Sequence, residues 1–141
     1  MTLPADFAGI AGAQELYDWF GYWPDFHDAE VLKFQLELGA PSRLQIHTWE
    51  MTSRINAAGF YELVKHVVVE FVLNDVTSLN LQDPWGHSIL LDLIITKTEV
   101  GFRIDLSSAY GLSGTIETKE VVLRLIPGNP SEPSPVATIT A

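Results

Sequence analysis

The sequence predicts a mainly β domain, built as an antiparallel sheet or a sandwich-like arrangement with one short helix near the N-terminus. Several short runs alternate apolar with polar residues, which is the pattern of strands with one buried face. The connections between these runs are too short for crossover helices, so neighbouring strands should be antiparallel. A length of 141 residues fits one domain, which we place at residues 1–128, followed by a Pro-rich tail at 129–141.

The helix is predicted at residues 14–20, where apolar side chains have helical spacing. Leu16, Trp19 and Phe20 lie on one face of such a helix, and Gly21 follows as a stop signal. We expect these three side chains to pack the helix onto one face of the sheet.

The first strand pair is predicted in the runs EVLKFQLEL and RLQIHTWEM, which GAPS separates. In the second run, Leu44 and Ile46 share one face. In the first run, the apolar positions of the alternation are expected on the buried face: Leu32, Phe34, Leu36 and Leu38.

The middle of the chain is less regular, and we expect residues 52–65 to form a long loop with a helical turn at 61–64. The run HVVVEFVLNDVTSLNLQ then predicts two short strands or one bent strand. Asn74 and Asp75 would form the turn or bulge, because both residue types tolerate unusual backbone angles.

The last strands are predicted as a hairpin in ILLDLIITKTEVGFRIDLSS and one or two strands in YGLSGTIETKEVVLRLI. The prolines of the tail prevent a continuous ladder, so we expect the tail to contribute little to stability unless VATIT adds a strand to an exposed edge. The predicted core residues are Leu32, Phe34, Leu36, Ile46, Val68, Phe71, Leu91, Leu93, Phe102, Ile104, Leu106, Ile116 and Leu123.

Charge is the strongest signal in the composition. Eighteen acidic residues face eight basic ones, and the formal net charge is -10. This balance argues against binding nucleic acid through its phosphates, which requires Lys and Arg. Six acids precede Lys33, the first basic residue: Asp6, Glu15, Asp18, Asp25, Asp28 and Glu30. Such a face would attract a basic protein, although excess acid also serves solubility.

The location is predicted to be the cytosol. The chain has no Cys, which excludes disulfides and thiolate zinc sites. The first residues lack a basic segment followed by an apolar run, and no apolar stretch approaches the roughly 20 residues of a membrane span.

The segment YWPDFHDAE, residues 22–30, is the candidate site. Its His27, Asp28 and Glu30 offer nitrogen and carboxylate ligands for a small metal-dependent hydrolase, and His47 could join them in space. The remaining His residues are isolated and have no helical metal-binding spacing. We therefore predict no catalytic residue, bound metal or cofactor.

The segment YGLSG lacks the spacing of a nucleophile elbow. We predict that Tyr110, Gly111 and Gly114 belong to a structural motif, with the glycines in a tight turn or bulge.

A structural role also explains the candidate segment. Pro24 biases Trp23 toward an extended backbone, so Trp23 and Phe26 should be buried under the sheet. We expect His27 or Asp28 to bond to nearby backbone and to make, with these residues, a structural corner. The acids predicted to contact a partner are Asp18, Asp25, Asp28 and Glu30.

The arrangement GYWPDFHDAEVLKFQLE, followed by β-rich sequence and then YGLSG before a last strand ending in IPG, resembles a family of small bacterial immunity proteins of polymorphic toxin systems, the family numbered fifty in that series. The resemblance spans residues 16–128, excluding 52–65, but its specific motif is the short WP-x-FHDAE pattern. The positions that match this motif are Trp23, Pro24, Phe26, His27, Asp28, Ala29 and Glu30.

The resemblance implies a cytosolic protein that binds a cognate protein toxin and neutralises it without catalysis or a cofactor. It implies neither a nucleic-acid nor a membrane partner. Two alternatives stay open: the small metal-dependent hydrolase, and an acidic binding or scaffolding domain with a different role.

Overall fold

The structure is a computed structural model that describes residues 3–130. These residues form a 3-10 turn at Ala5–Phe7, one α-helix and six strands. The elements are α1 (Ala13–Phe20), β1 (Glu30–Gln35), β2 (Ser42–Ile55), β3 (Tyr61–Gln82), β4 (Ser88–Lys97), β5 (Phe102–Tyr110) and β6 (Ser113–Pro127). The predicted independence of the tail concerns residues that lie mostly outside the described range.

The six strands form one antiparallel sheet that closes into a barrel, in the order β1-β2-β3-β6-β5-β4. The closure is a short contact, in which Glu30 pairs with Ile89 and Val31 pairs with Ser88. The predicted mainly β, antiparallel class with a short helix is therefore confirmed. No second sheet is required to cover the apolar face, because the inward faces of the six strands pack on one another inside the barrel.

The core lies inside the barrel. Fully buried side chains from facing strands fill it, and the largest include Leu44, Ile46, Phe71, Leu73, Leu90, Ile104 and Ile116. Leu16 and Phe20 of α1 belong to the same cluster. The helix is thus fixed to the sheet by apolar burial, which is the main source of stability for so short a helix.

Helix α1 matches its prediction closely. It ends at Gly21, whose left-handed backbone lets its N–H bond to the Tyr17 carbonyl at 2.7 Å. Trp19 is only partly buried, and its indole N–H donates to the carbonyl of Lys65 at 2.8 Å. Trp19 therefore anchors the helix by a polar bond in addition to its packing.

The predicted buried face of β1 is wrong, since Leu32, Leu36 and Leu38 are exposed. The ladder with β2 shifts register between Val31 and Lys33, so Leu32 is an extra residue. A bulge of one residue reverses the inside and outside of a strand. Leu36 and Leu38 are exposed because β1 ends before them, at Gln35. Val31 and Phe34, on either side of the bulge, both pack against the core, and Phe34, which was predicted there, is only partly buried.

A bulge also explains a second error, at Leu91, which was predicted to be in the core and is exposed. The β4–β5 ladder shifts register between Leu90 and Asp92, and Leu91 is the extra residue. Leu90 and Leu93 on either side are buried. All other predicted core residues except the partly buried Phe34 are buried: Ile46, Val68, Phe71, Leu93, Phe102, Ile104, Leu106, Ile116 and Leu123.

The predicted loop at 52–65 is also wrong, because β2 and β3 continue through it as a hairpin. Its turn is held by Asn56, whose side-chain oxygen accepts the N–H groups of Ala58 and Phe60. This Asx-type bonding explains the turn without a helical residue.

β3 is one bent strand rather than two. Asp75 has a positive φ of 60°, and the ladder with β6 shifts register between Val76 and Ser78. The expected irregularity near Asn74 and Asp75 is therefore present. Within residues 3–130 there is no helix with the length and apolar composition that a membrane crossing requires.

Candidate functional site

Residues 25–29 form a corner that lies along β4, and backbone hydrogen bonds join the two segments. The N–H of Asp28 donates to the Leu90 carbonyl at 2.9 Å, and the N–H of Leu90 donates to the Ala29 carbonyl at 2.9 Å. The N–H of Leu93 donates to the Asp25 carbonyl at 3.3 Å. The corner is therefore held by the sheet at both of its ends.

Aromatic packing fixes the underside of the corner. Phe26 is 1% exposed and lies beside Phe71 in the core. Trp23 is partly buried, and its ring stacks on Phe7 with centroids 4.2 Å apart. The predicted burial of Phe26 is confirmed, whereas Trp23 keeps part of its surface in solvent.

The backbone of the corner is strained, a feature that the sequence did not predict. Phe26 and Asp28 have positive φ angles of 63° and 65°. Such angles are uncommon for a bulky residue such as Phe. The Asp25 carboxylate stabilises the turn by accepting the N–H of His27 at 2.9 Å.

His27 is exposed and bonded to backbone, as expected. Its Nδ1 lies 3.0 Å from the Leu91 carbonyl oxygen, so Nδ1 carries the proton that is donated. Its Nε2 lies 3.6 Å from the Asp28 carboxylate. The bond to Leu91 and then the charge of Asp28 raise the pKa of His27, with further contributions from Asp25 and Asp92.

The carboxylates of Asp25, Asp28 and Asp92 thus all contribute to the raised pKa of His27. Within the described part of the chain, none of them has a Lys or Arg within ion-pair distance. This surface therefore carries negative charge that is not compensated by neighbouring cations.

A cavity of about 300 Å³ adjoins these carboxylates, and we call it the corner pocket. Asp25 and Asp92 lie on it, together with apolar side chains. The apolar residues that line it are Phe7, Trp23, Pro24, Leu93, Ile94 and Ile95. The lining is thus mostly apolar, with Phe7 and Trp23 as its aromatic residues and Asp25 and Asp92 as its acidic ones.

Glu30 points elsewhere. Its carboxylate lies 2.9 Å from Nδ1 of His47, whose Nε2 lies 3.0 Å from Nδ1 of His66. The chain of bonds is satisfied when His66 donates to His47 and His47 donates to Glu30. His47 is almost completely buried, and the ring of Trp49 lies beside it.

The structure therefore divides the predicted group of His27, Asp28 and Glu30 between two places. Among residues 3–130, no three His, Asp or Glu side chains are arranged to hold a metal ion. His47 was a candidate ligand on sequence grounds, but its contact with His66 was not predicted, since strand pairing brings the two rings together.

The other predicted residues lie apart from the corner. Asp18 is exposed on α1 and accepts a hydrogen bond from Gln14 at 2.9 Å. Gly111 has a φ of 92° in the tight connection between β5 and β6, and Gly114 also has a positive φ. Tyr110 is exposed, with its ring near that of His87.

Comparison with known proteins returned no match to a family model, a curated protein or a solved structure.

Proposed function

We propose that this protein is a non-catalytic binding domain of the immunity type, which neutralises a cognate bacterial toxin in the cytosol by binding it. That the partner is a toxin is inferred from the sequence resemblance. The observation that supports a binding role is the corner pocket, where Asp25 and Asp92 have no Lys or Arg within ion-pair distance among the described residues and lie beside Trp23.

The pocket suits a Lys or Arg side chain of the partner. The aliphatic part of such a side chain would lie against Trp23 and Ile94, and its charged group would lie between the two carboxylates. Attraction between a cation and the face of the Trp23 indole that Phe7 leaves uncovered adds to this contact. The pocket therefore favours a basic partner on both apolar and electrostatic grounds.

The charge of the whole chain favours the same partner. A net charge of -10 attracts a basic protein over a distance and raises its association rate. The attraction falls as salt screens it, with a Debye length of about 10 Å at 0.1 M. Binding should accordingly weaken and slow as the salt concentration rises.

The first test is protection. The gene next to the one that encodes this chain is expressed alone and together with it, and cell growth is measured. The proposal expects the neighbouring product to inhibit growth alone and to be harmless in the presence of this chain. A neighbouring product that is not toxic, or that remains toxic and does not bind, contradicts the proposal.

The second test locates the interface with two variants of equal charge. Asp25→Asn with Asp92→Asn removes both carboxylates of the pocket, and the amide oxygen introduced at position 25 can still accept the His27 N–H. Glu99→Gln with Glu120→Gln removes two charges elsewhere. We expect the first pair to slow association with the toxin by about tenfold or more and the control pair to have a much smaller effect. Equal effects would show that only net charge matters.

A further inference from the structure

A second surface, separate from the corner, consists of two adjoining cavities of about 540 and 340 Å³ that share Leu36 and Leu79. We call this surface the edge groove. It runs between β1 with its following loop on one side and the C-terminal half of β3 on the other. Its main apolar lining residues are Val31, Leu32, Phe34, Leu79, Leu81 and Trp85.

The β3 side of the groove is an unpaired strand edge. β2 first meets β3 where Ser42 pairs with Leu73. From there to Gln82, β3 pairs with β6 alone in the described part of the chain. The backbone groups of residues 74–82 that point away from β6 therefore have no partner strand among residues 3–130.

The β1 side has a similar gap. β1 pairs with β4 only at Glu30 and Val31, so the rest of β1 is paired with β2 alone within the described range. The closure of the barrel is thus narrow on this side, and the two free edges face the same groove.

The apolar side chains at the groove are unusually exposed. The exposed fraction is 42% for Leu32, 47% for Leu36 and 40% for Leu79, and it reaches 85% for Trp85. Natural proteins normally protect a strand edge with charge, proline or a covering segment. Here the bulges of β3 lie near Asp75. Beyond them, no described strand covers the edge at Leu79 and Leu81, although Lys33 and Pro84 line the same cavity.

We propose that the edge groove binds an extended segment of a partner protein, which adds as a strand to the free edge of β3. Its backbone would pair with residues 78–82, which follow the irregular residues 75–77, over a length of roughly 17 Å at 3.3 Å per residue. Alternate side chains of the segment would enter the groove and contact Leu36, Leu79 and Trp85. This mode takes its affinity from backbone bonds and its specificity from the alternate pockets.

Charge indicates the composition of the segment. Glu37 and Asp75 line one cavity of the groove, and Lys33 lines the other. A complementary segment would place a basic residue near Glu37 and Asp75 and an acidic residue near Lys33. Apolar residues would occupy alternate positions between them. The inference concerns a different surface from the corner pocket and holds whether or not the partner is a toxin.

The test uses peptides. A displayed library of random twelve-residue peptides is selected on the full chain, and the best peptide is synthesised with a fluorescent label. Affinity is measured by anisotropy for the native chain, for Leu36→Ser with Leu79→Ser, and for Leu63→Ser with Leu91→Ser. The last pair is a matched control, because its leucines are 40% and 45% exposed and lie outside the groove.

We expect the groove variant to weaken binding by about tenfold or more, and the control variant by less than about twofold. Methylating single backbone nitrogens of the peptide should abolish binding at alternate positions only, because alternate N–H groups of an added strand face its neighbour. The emission of Trp85 should shift to shorter wavelength on binding, and Trp85→Phe should remove that shift.

Three results would overturn the proposal. One is a library that yields no peptide whose binding depends on the groove leucines. Another is insensitivity to backbone methylation, which would mean that side chains alone are recognised. The third is a dimer of the native chain in sedimentation velocity that the groove variant dissociates, which would make a second copy of this chain the occupant.

Discussion

His27 Nδ1 lies 3.0 Å from the carbonyl oxygen of Leu91, and this bond joins an exposed imidazole of the corner to the bulged residue of β4. The bond is possible because the extra residue in β4 separates Leu91 from the ladder with β5. The bulge that made Leu91 a wrong core prediction therefore also places the acceptor for His27.

The first prediction concerns pH. The pKa of His27 is raised by the Leu91 bond and by Asp28, so the folded state binds this proton more tightly than the unfolded chain. The resulting stabilisation is complete below the ordinary His pKa, near 6.5, and is lost as pH rises through the higher folded value. The difference in unfolding free energy between the native chain and His27→Gln should therefore shrink as pH rises from 5 toward 8, in urea titrations at about one-unit intervals. In an Asp28→Asn background, this difference in unfolding free energy should depend less on pH. A difference that grows with pH would contradict the raised pKa of His27.

The second prediction concerns the aromatic underside of the corner. Phe26→Ala should cost about 3 to 5 kcal/mol, because the ring is fully buried. Trp23→Ala should cost less, about 1 to 3 kcal/mol, because part of its ring contacts solvent. Trp85→Ala is the control and should change stability by less than about 0.5 kcal/mol. A larger loss for Trp23 than for Phe26 in urea unfolding would reverse our interpretation of the corner.

The sequence predicts the strands well and their faces less well. Alternation identified β1 and β4, but the bulges at Leu32 and Leu91 leave no local signal in the sequence. In each strand only the extra residue is exposed, whereas Phe34 and Leu93, two positions later, lie on the core side as predicted. An unbroken alternation therefore assigns the bulged residue to the wrong face. Phe102 and Ile104, in an unbulged part of the ladder, were predicted correctly.

The candidate site was predictable only where its residues are close in sequence. The turn formed by Asp25 and His27 follows from local chemistry, whereas Asp92 joins the site only because β4 lies beside the corner. The contact between His47 and His66 likewise depends on the register of β2 and β3. Pairing between distant segments is information that a single sequence does not display.

The third prediction concerns Glu70, a nearly buried carboxylate on the outer face of the barrel. Its oxygens accept hydrogen bonds from Gln45 at 2.8 Å, Arg43 at 3.0 Å and Arg124 at 3.1 Å. The bond from Gln45 and the two guanidinium charges lower the pKa of Glu70, although burial opposes this effect.

Glu70→Ala should therefore cost about 1.5 to 3 kcal/mol at pH 7, because it removes bonds to a charged group. The stabilisation is present above the ordinary Glu pKa and is lost as pH falls through the lowered folded value. The penalty of the variant should decrease in urea titrations below pH 4. Glu99→Ala serves as an exposed control, and a penalty for Glu70→Ala that is constant down to pH 2 would mean that packing, not charge, accounts for it.

The last prediction compares two glycines with similar backbone angles and different surroundings. Gly21 has a φ of 84° and an added Cβ would meet nothing within 4 Å. Gly111 has a φ of 92°, but a Cβ there would collide with the Ser88 hydroxyl oxygen and would lie 2.7 Å from the Ser88 Cα. Ser88 in turn accepts the N–H of Leu112 at 2.8 Å, so it has little freedom to move.

Gly21→Ala should cost about 1 to 2 kcal/mol, which is the penalty of a left-handed angle alone. Gly111→Ala should cost at least about 1 kcal/mol more, because the clash adds overpacking to the same penalty. Equal losses in thermal or urea unfolding would mean that the connection between β5 and β6 can move away from Ser88 without cost.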